Sequence, residues 1–297
     1  MKLDDLLTKA AQLEGKTVAV AQAEDEEVIE AVKAALEKRI ANFLLFGDEE
    51  KIHHLLREKS IQQDGVKVVH TTSKQMSAEM AVKAVSQKEA DVVMKGNVPT
   101  STILKAVLNK EFGLRTGKVL SHVAVFEVPG YDRYMIVTDA AMNIAPDLQQ
   151  KAQIVSNAVE IATAIGIEMP KVAPIAAVET VNPQMQATLD AAALTQMNAR
   201  GQIPNCIIDG PLALDNAVSI KAAEHKGITS EVAGAADILL VPVIEAGNIL
   251  YKSLIYFAKA KVGAVIAGAK APIVLTSRAD SAESKLYSLA LAICSAK

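Results

Sequence analysis

An arginine flanked by small hydroxyl residues is the most pointed chemical feature of the sequence. Arg278 and Ser277 lie in the segment TSRADSAESK, between the apolar run APIVL and the helix-like stretch LYSLALAIC. A helix N-terminus favours an anion, and arginine adds a rigid fork of donors that suits phosphate or carboxylate. The segment is therefore a candidate anion site. The structural alternative is that Ser277 or Ser281 only caps the helix while Arg278 is solvated.

A second candidate site is the glycine loop KGNVPTSTILK, which follows the apolar run ADVVM. Gly96 and Asn97 open the loop, and Thr100 stands where a helix is expected to begin. Free backbone N–H groups at a helix start favour an anion, and the hydroxyl groups add donors. An ordinary N-cap by Thr100 or Ser101 is the structural alternative.

Two further loops combine glycine with polar side chains after apolar runs. The segments are DGPLALDNA, after NCII, and IEAGNILYK, after ILLVPV. Their candidate residues are Asp209, Gly210, Glu245, Gly247 and Asn248. An Asx turn at Asp209 and a plain turn at either glycine are the structural alternatives.

The elements that must position these loops alternate between β-branched runs and amphipathic segments. KTVAVAQA predicts a strand and EDEEVIEAVKAALEKRI a helix, and the rhythm continues along the chain. It predicts an α/β fold with a mostly parallel sheet, in which ligands bind at the carboxyl ends of the strands. HVAVFEVPG and RYMIVTDA, around a PGYD turn, predict an antiparallel hairpin. The small-residue stretch GAVIAG receives no assignment.

Composition excludes several classes of function. The chain is 51% hydrophobic and only 3% aromatic, so its core must be aliphatic, which suits parallel strands covered on both faces. A net charge of −3 gives no general reason to bind nucleic acid or an anionic membrane. The two cysteines offer no disulfide framework, and neither GxGxxG nor GxxxxGK[ST] occurs. We expect a soluble, cytoplasmic protein without a metal site, since no secretory or membrane-spanning stretch is evident.

Taken together, the loops resemble the phosphate acetyl/butyryl transferase family. The matching pieces are KGNVPTSTILKAVL, SHVAVF, VTDAAMNIAPDLQQKAQIV, IIDGPLALDNA, EAGNILYKSL and LTSRADSAESK. They follow the family's order from about residue 90 to the C-terminus. The chain length and the SRADS segment are most similar to the butyryl-transferring members.

The resemblance implies an architecture as well as a reaction. It implies a two-domain fold of the isocitrate/isopropylmalate-dehydrogenase type, with the active site in the cleft between the domains. Residues 1–138 plus 275–297 would form one α/β domain and residues 139–274 the other. Family members pair through the second domain, so a homodimer or a higher homo-oligomer is implied.

The implied reaction is reversible acyl transfer, in which butyryl-CoA and phosphate give butyryl phosphate and CoA by direct attack in a ternary complex. CoA and phosphate are substrates, and no cofactor is implied. The family's S-R-x-x-S pattern matches Ser277 and Arg278 as active-site residues. Arg278 would offset negative charge on phosphate or CoA, and Ser277 would donate to the sulfur or to the developing oxyanion.

The general base is left open by the resemblance. Acetyl-transferring relatives carry an aspartate where this chain has Ser284. Either Asp280 or Glu283 takes its place, or the base comes from another loop through Asp209 or Glu245. The alternative is that no strong base is needed, because Arg278 and the helix end lower the pKa of the CoA thiol.

The phosphate partner is open as well. Lys105 stands where acetyl-transferring relatives tend to have an arginine, and Arg115 is the other basic candidate in this half of the chain. Ser121, which opens the matched SHVAVF piece, completes the predicted substrate-binding set.

Three other functions remain as alternatives. A phosphate acetyltransferase would differ only in the size of its acyl pocket, because one methylene changes binding by roughly 1–3 kcal/mol. A metal- and NAD-dependent decarboxylating dehydrogenase would need clustered aspartates, whereas Asp139, Asp209 and Asp237 are scattered over different strand ends. A non-catalytic CoA- or phosphate-binding protein would keep Arg278 without turnover.

Overall fold

The structure alternates strands and helices along the whole chain. It is a computed structural model that describes residues 2–62, 64–275 and 281–297. The strands are β1 Thr17–Ala21, β2 Asn42–Gly47, β3 Val66–His70, β4 Val92–Lys95, β5 Ser121–Glu127, β6 Met135–Thr138, β7 Lys171–Pro174, β8 Ile207–Ile208, β9 Ile238–Leu240, β10 Lys261–Ala267 and β11 Ile273–Val274. The helices are α1 Leu3–Gln12, α2 Glu26–Glu37, α3 Glu49–Glu58, α4 Lys74–Ser86, α5 Thr100–Val107, α6 Leu148–Ala164, α7 Gln186–Ala199, α8 Leu214–Val218, α9 Ile220–His225, α10 Ile244–Tyr256 and α11 Ala282–Ser295.

The chain separates into two units. The discontinuous unit comprises residues 3–118 and 262–297, and the central unit comprises residues 119–261 together with Lys2. Among the described residues, no helix is long and apolar enough to cross a membrane.

The discontinuous unit is built on strands in the order β3-β2-β1-β4-β11-β10. All of these pairings are parallel except that between β10 and β11. In the inner strand β1, Val18 and the three residues after it are buried, so the strand is apolar on both faces. A continuous apolar strand of this kind forms only where helices cover both faces of the sheet. The prediction of a mostly parallel α/β fold is confirmed.

Strand β10 is the element that sequence analysis left unassigned. Its sequence KVGAVIA contains a glycine and two alanines. A Cβ atom on Gly263 would lie 2.9 Å from the backbone of Tyr287 in α11. The small residue therefore allows the C-terminal helix to pack directly against this strand, and it hides the strand signal.

The central unit is built on strands in the order β5-β6-β9-β7-β8. β5 and β6 pair antiparallel, which confirms the predicted hairpin, and the other pairings are parallel. Behind the sheet, the Lys151 ammonium on α6 donates to the Asp190 carboxylate on α7 at 2.5 Å. Both side chains are buried, so each requires the other as its counter-charge.

The hairpin explains where the boundaries of the units fall. They lie at 118/119 and 261/262, whereas the sequence-based division placed them at 138/139 and 274/275. Because β6 pairs with β5 on one side and with β9 on the other, the hairpin belongs to the central unit. No change of composition marks this boundary in the sequence.

Candidate active-site residues and their surroundings

The arginine segment itself lies outside the described residues. Ser277, Arg278 and Asp280 fall in the interval 276–280, which the structure does not describe. Directly after it, Ser281 is the N-cap of α11, and its Oγ accepts from the backbone N–H of Ser284 at 3.1 Å. The predicted capping role of Ser281 is therefore observed.

One candidate base, Glu283, and the residue at the family's base position, Ser284, lie in the first turn of this same helix. The Ser281 hydroxyl donates to the Ser284 Oγ at 3.1 Å, so Ser284 is tied into the first turn of α11. The Glu283 carboxylate lies 3.0 Å from the Tyr287 hydroxyl, which also contacts the Asp4 carboxylate at 2.8 Å. Both side chains therefore take part in hydrogen bonds within the first two turns of the C-terminal helix.

The Gly96 loop follows β4, at the carboxyl end of an inner strand. The N–H groups of Gly96 and Asn97 donate to the carbonyl oxygens of Ala21 and Gln22, each at 2.8 Å. A Cβ atom on Gly96 would lie 2.2 Å from the Gln22 oxygen, so only glycine allows this approach. The loop after β4 is thereby fixed to the end of β1.

The start of α5 differs from the capping alternative. Its N-cap is Pro99, without a side-chain hydrogen bond, and Thr100 and Ser101 are the first two helical residues. The backbone N–H groups of Thr100 and Ser101 donate to no acceptor in the described parts of the chain. Since both residues are exposed, these donors face solvent and are available to an anion.

A cavity of about 290 Å³ adjoins this helix start. Its lining residues are Lys74, Lys95, Asn97, Val98, Pro99 and Thr100. The two lysines were missed in the sequence, although Lys95 ends β4 and Lys74 begins the helix after β3. Applying the strand-end rule to every strand, including β3, would have found both.

The other predicted basic residues lie apart from this cavity. Lys105 is exposed and lines a neighbouring cavity of about 530 Å³. Arg115 is exposed in the loop after α5 and lines neither cavity. Of these two, only Lys105 comes near the Gly96 loop.

In the central unit, the predicted site residues differ in their burial. Ser121 is fully buried, and its hydroxyl accepts from the Asn157 side-chain amide at 2.9 Å. Asp209 is half-buried, and its carboxylate accepts no hydrogen bond from the described residues, so the Asx turn is not formed. Gly210 packs against Pro174, because a Cβ atom on Gly210 would lie 3.1 Å from the Pro174 carbonyl oxygen.

Gly247 lies in the first turn of α10, not in a loop before the helix as the sequence predicted. It faces a turn that is organised by an aspartate following β6, which we call the Asp139 turn. The buried Asp139 carboxylate accepts from the backbone N–H groups of Ala141 and Met142 at 2.9 Å, and from Asn143 through both its backbone and side-chain amides. A Cβ atom on Gly247 would lie 2.7 Å from the Asp139 carbonyl oxygen, so glycine lets α10 approach this turn. The Asn248 side chain reaches the Ala140 carbonyl oxygen only weakly, at 3.5 Å.

Neighbouring Glu245 is exposed in the first turn of α10. Its carboxylate contributes to none of the bonds that hold the Asp139 turn.

The aspartates do not assemble a metal site within the described residues. Asp237 precedes β9, at the opposite strand end from Asp139, and accepts from the Lys171 N–H at 2.9 Å. Burial raises the pKa of this carboxyl. Among the described residues, no group of three or more histidine, cysteine, aspartate or glutamate side chains could hold a metal ion.

Comparison with known proteins identifies the family. The family model described as phosphate acetyl/butaryl transferase matches residues 2–83 and 72–293. The chain belongs to this family.

Individual relatives extend the comparison to full length. A protein of Bacillus subtilis named "Probable phosphate butyryltransferase" is 64% identical, over 100% of this chain and 99% of its own. A phosphate acetyltransferase of Thermotoga maritima is 47% identical, over 96% of this chain and 97% of its own.

Solved structures give the same fold. A branched-chain phosphotransacylase from Enterococcus faecalis superposes with a TM-score of 0.84 at 38% identity, covering 94% of this chain and 98% of that one. A 4-hydroxythreonine-4-phosphate dehydrogenase from Klebsiella pneumoniae superposes with a TM-score of 0.60 at 11% identity, covering 95% of this chain and 100% of that one. The second likeness shows the fold alone, and it supports the predicted dehydrogenase-like architecture.

Proposed function

We propose that the protein catalyses reversible acyl transfer between CoA and inorganic phosphate, with butyryl-CoA as the preferred substrate. A phosphate oxygen attacks the thioester carbonyl, the C–S bond breaks, and CoA leaves as a thiolate that takes up a proton. The observation that carries the proposal is 64% identity over the full length to the butyryltransferase relative. No cofactor enters this reaction, and a cytoplasmic location forms part of the proposal.

Arg278 and Ser277 are the proposed catalytic residues. The resemblance of the SRADS segment to the family pattern supports them. Arg278 offsets the negative charge of phosphate or CoA, and Ser277 donates to the developing oxyanion. We expect Arg278→Ala to reduce turnover by at least 100-fold while the protein stays folded, because a preorganised donor contributes about 10²–10³ to the rate.

We propose Asp209 as the base, and Glu245, whose carboxylate likewise accepts no hydrogen bond from the described residues, stays the alternative. Ser284 cannot serve as a carboxylate base, and Glu283 is in contact with the Tyr287 hydroxyl. Asp209 is half-buried and accepts no hydrogen bond from the described residues, so its carboxylate is available to take the thiol proton in the reverse direction. Asp209→Asn should lower kcat with CoA as the attacking group, and Ser284→Ala is the control that should leave it unchanged.

The acyl preference is tested by following thiol release from acyl-CoA with and without phosphate. Acetyl-, butyryl- and isobutyryl-CoA are compared at equal concentration. Phosphate-dependent release that is fastest with a four-carbon substrate supports the proposal. The Thermotoga relative makes phosphate acetyltransferase the second candidate, and fastest release from acetyl-CoA would select it. Absence of phosphate-dependent release from every substrate would overturn both and leave a non-catalytic binding protein.

We further propose that the protein forms a homo-oligomer through its central unit. Of the twelve large apolar side chains that are exposed among the described residues, nine lie in residues 119–261. Phe257 is 86% exposed and Ile249 66%, and Gly247 is the only buried residue of α10. Exposed apolar surface of this kind marks an interaction site.

Light scattering after size exclusion tests the oligomer. The native chain should elute as a dimer or a larger species, and Ile249→Glu combined with Phe257→Glu should shift it towards the monomer. Leu108→Glu in the discontinuous unit, where Leu108 is 48% exposed, is the control that should change nothing. A monomeric native protein would contradict the proposal.

A further inference from the structure

Two lysines face one cavity from different elements of the discontinuous unit. Lys74 is the first residue of α4 and is exposed, and Lys95 is the last residue of β4 and is half-buried. Both line the cavity of about 290 Å³ beside the start of α5. The Lys95 ammonium also donates to the Gly96 carbonyl oxygen at 3.3 Å, which holds it beside the loop.

Among the described residues that line this cavity, the only charged ones are the two lysines. The remaining lining residues are Asn97, Val98, Pro99 and Thr100, and none of them is acidic. The neighbouring cavity, which shares Lys74 and Pro99, adds Lys105 and a single acid, Glu79. That acid already accepts from the Gln75 side-chain amide at 2.9 Å.

A second observation is the chemical type of the polar groups around the lysines. Asn97 and Thr100 bring a side-chain amide and a hydroxyl to the same cavity as the two ammonium groups. Ammonium, amide and hydroxyl donors together suit the oxygens of a phosphate group, for which lysine acts as a compact point charge. Apart from Val98 and Pro99 the lining is polar, so it offers little to an acyl chain.

We propose that Lys74 and Lys95 bind a phosphate group of a substrate in this cavity. The proposal rests on the acyl-transfer function above, and it assigns two binding residues that the family resemblance did not supply. The phosphate group comes from one of two sources: inorganic phosphate and its acyl ester, or the phosphates of CoA. Both present the same oxygens to the lysines, and kinetics separate them.

The test uses Lys74→Met, Lys95→Met and the double variant, with KM measured separately for phosphate and for butyryl-CoA. Methionine keeps the length of the side chain and removes the charge. Lys74→Arg combined with Lys95→Arg restores the charge. Lys67→Met is the matched control, because Lys67 is exposed on β3 in the same unit and does not line the cavity.

We expect the double variant to raise one of the two KM values about 10- to 100-fold, because a hydrogen bond to a charged group contributes about a factor of 10 or more. The arginine pair should recover most of this loss, and kcat should change little. A raised KM for phosphate assigns the cavity to inorganic phosphate, and a raised KM for butyryl-CoA assigns it to CoA. Unchanged KM values, or an equal effect of Lys67→Met, would overturn the proposal.

Titration calorimetry keeps this test independent of turnover. The probes are inorganic phosphate and adenosine 3′,5′-bisphosphate, which carries the phosphate groups of the nucleotide end of CoA. If the native protein shows no turnover but binds one probe, and the double variant does not, the reaction is wrong while the phosphate site stands. If the native protein binds neither probe, or the double variant binds as the native protein does, the site is wrong.

Discussion

The Gly96 loop and the segment around Gly247 look alike in sequence and differ in structure. In both, a glycine lets two parts of the backbone approach closely, with a virtual Cβ 2.2 Å from the Gln22 oxygen in the loop after β4 and 2.7 Å from the Asp139 oxygen in the first turn of α10. Both helices also begin without a side-chain cap. The polar groups around the two glycines are used differently.

At the Asp139 turn, which Gly247 faces, the polar groups satisfy one another. The Asp139 carboxylate is buried and accepts from three consecutive backbone N–H groups. Beside the Gly96 loop, Thr100 and Ser101 are exposed, their N–H groups donate to no acceptor among the described residues, and lysines line the adjoining cavity. In both cases the glycine marks a close approach of backbone, and only the state of the neighbouring polar groups shows which segment is open to a ligand.

The largest effect is expected where polar groups satisfy one another most completely, at the buried ion pair of the central unit. Lys151→Met leaves the Asp190 carboxylate buried without its counter-charge and should cost about 3–5 kcal/mol of unfolding free energy. Urea denaturation measures this loss. Lys151→Met combined with Asp190→Leu is the control, since it removes both charges and should recover most of the stability. A loss below about 1 kcal/mol in the single variant would show that the pair is solvated.

A smaller but more direct effect is expected at the loops themselves. Asp139→Ala orphans the N–H groups of Ala141 and Met142, which should cost about 2–3 kcal/mol in the same assay. Lys74→Met at the cavity beside the Gly96 loop should change stability by less than about 0.5 kcal/mol, because its side chain is exposed. Equal losses of unfolding free energy in the two variants would contradict the proposed difference between the Asp139 turn and the Gly96 loop.

Capping provides a third and smaller contrast. Ser73 is the N-cap of α4 and accepts from the Met76 N–H at 3.1 Å, so Ser73→Ala should cost about 1 kcal/mol. Ser101→Ala should cost almost nothing, because Pro99 occupies the N-cap of α5. Thermal unfolding compares the two, and a larger loss for Ser101→Ala would mean that this serine does cap its helix.

A prediction of a different kind, on thiol reactivity and not on stability, concerns the two cysteines, one in each unit. Burial raises the pKa of Cys206 and of Cys294 to about 11, so little thiolate is present near neutral pH. At pH 8 each should react with a thiol reagent about two orders of magnitude more slowly than an exposed cysteine, and the rate should rise as the pH approaches 11. Rapid labelling of the native protein would contradict the burial of these thiols.

Some strands of the fold could be predicted from the sequence, and one could not. The parallel strands and the hairpin were predictable because burial on both faces gives β1 an uninterrupted apolar run and a PGYD turn separates β5 from β6. Strand β10 was missed because Gly263, which admits Tyr287, weakens the strand pattern.

Among the candidate site residues, it was easier to select single residues from the sequence than to predict the contacts they make. Gly96 and Gly247 were selected as glycines, and the structure gives the close approaches that require them. The capping alternative at Thr100 was wrong, because Pro99 fixes the helix start one residue earlier. Lys74 was missed because it lines the cavity from the start of α4, which precedes β4 and the Gly96 loop in the sequence. Ser277 and Arg278 remain predictions.

The reverse reaction tests the central claim most directly. Native protein is mixed with butyryl phosphate and CoA, and loss of acyl phosphate is followed together with formation of the thioester. We expect the two to change in equal amounts and only when CoA is present. Loss of butyryl phosphate without thioester formation, or no reaction with CoA present, would contradict acyl transfer between phosphate and CoA.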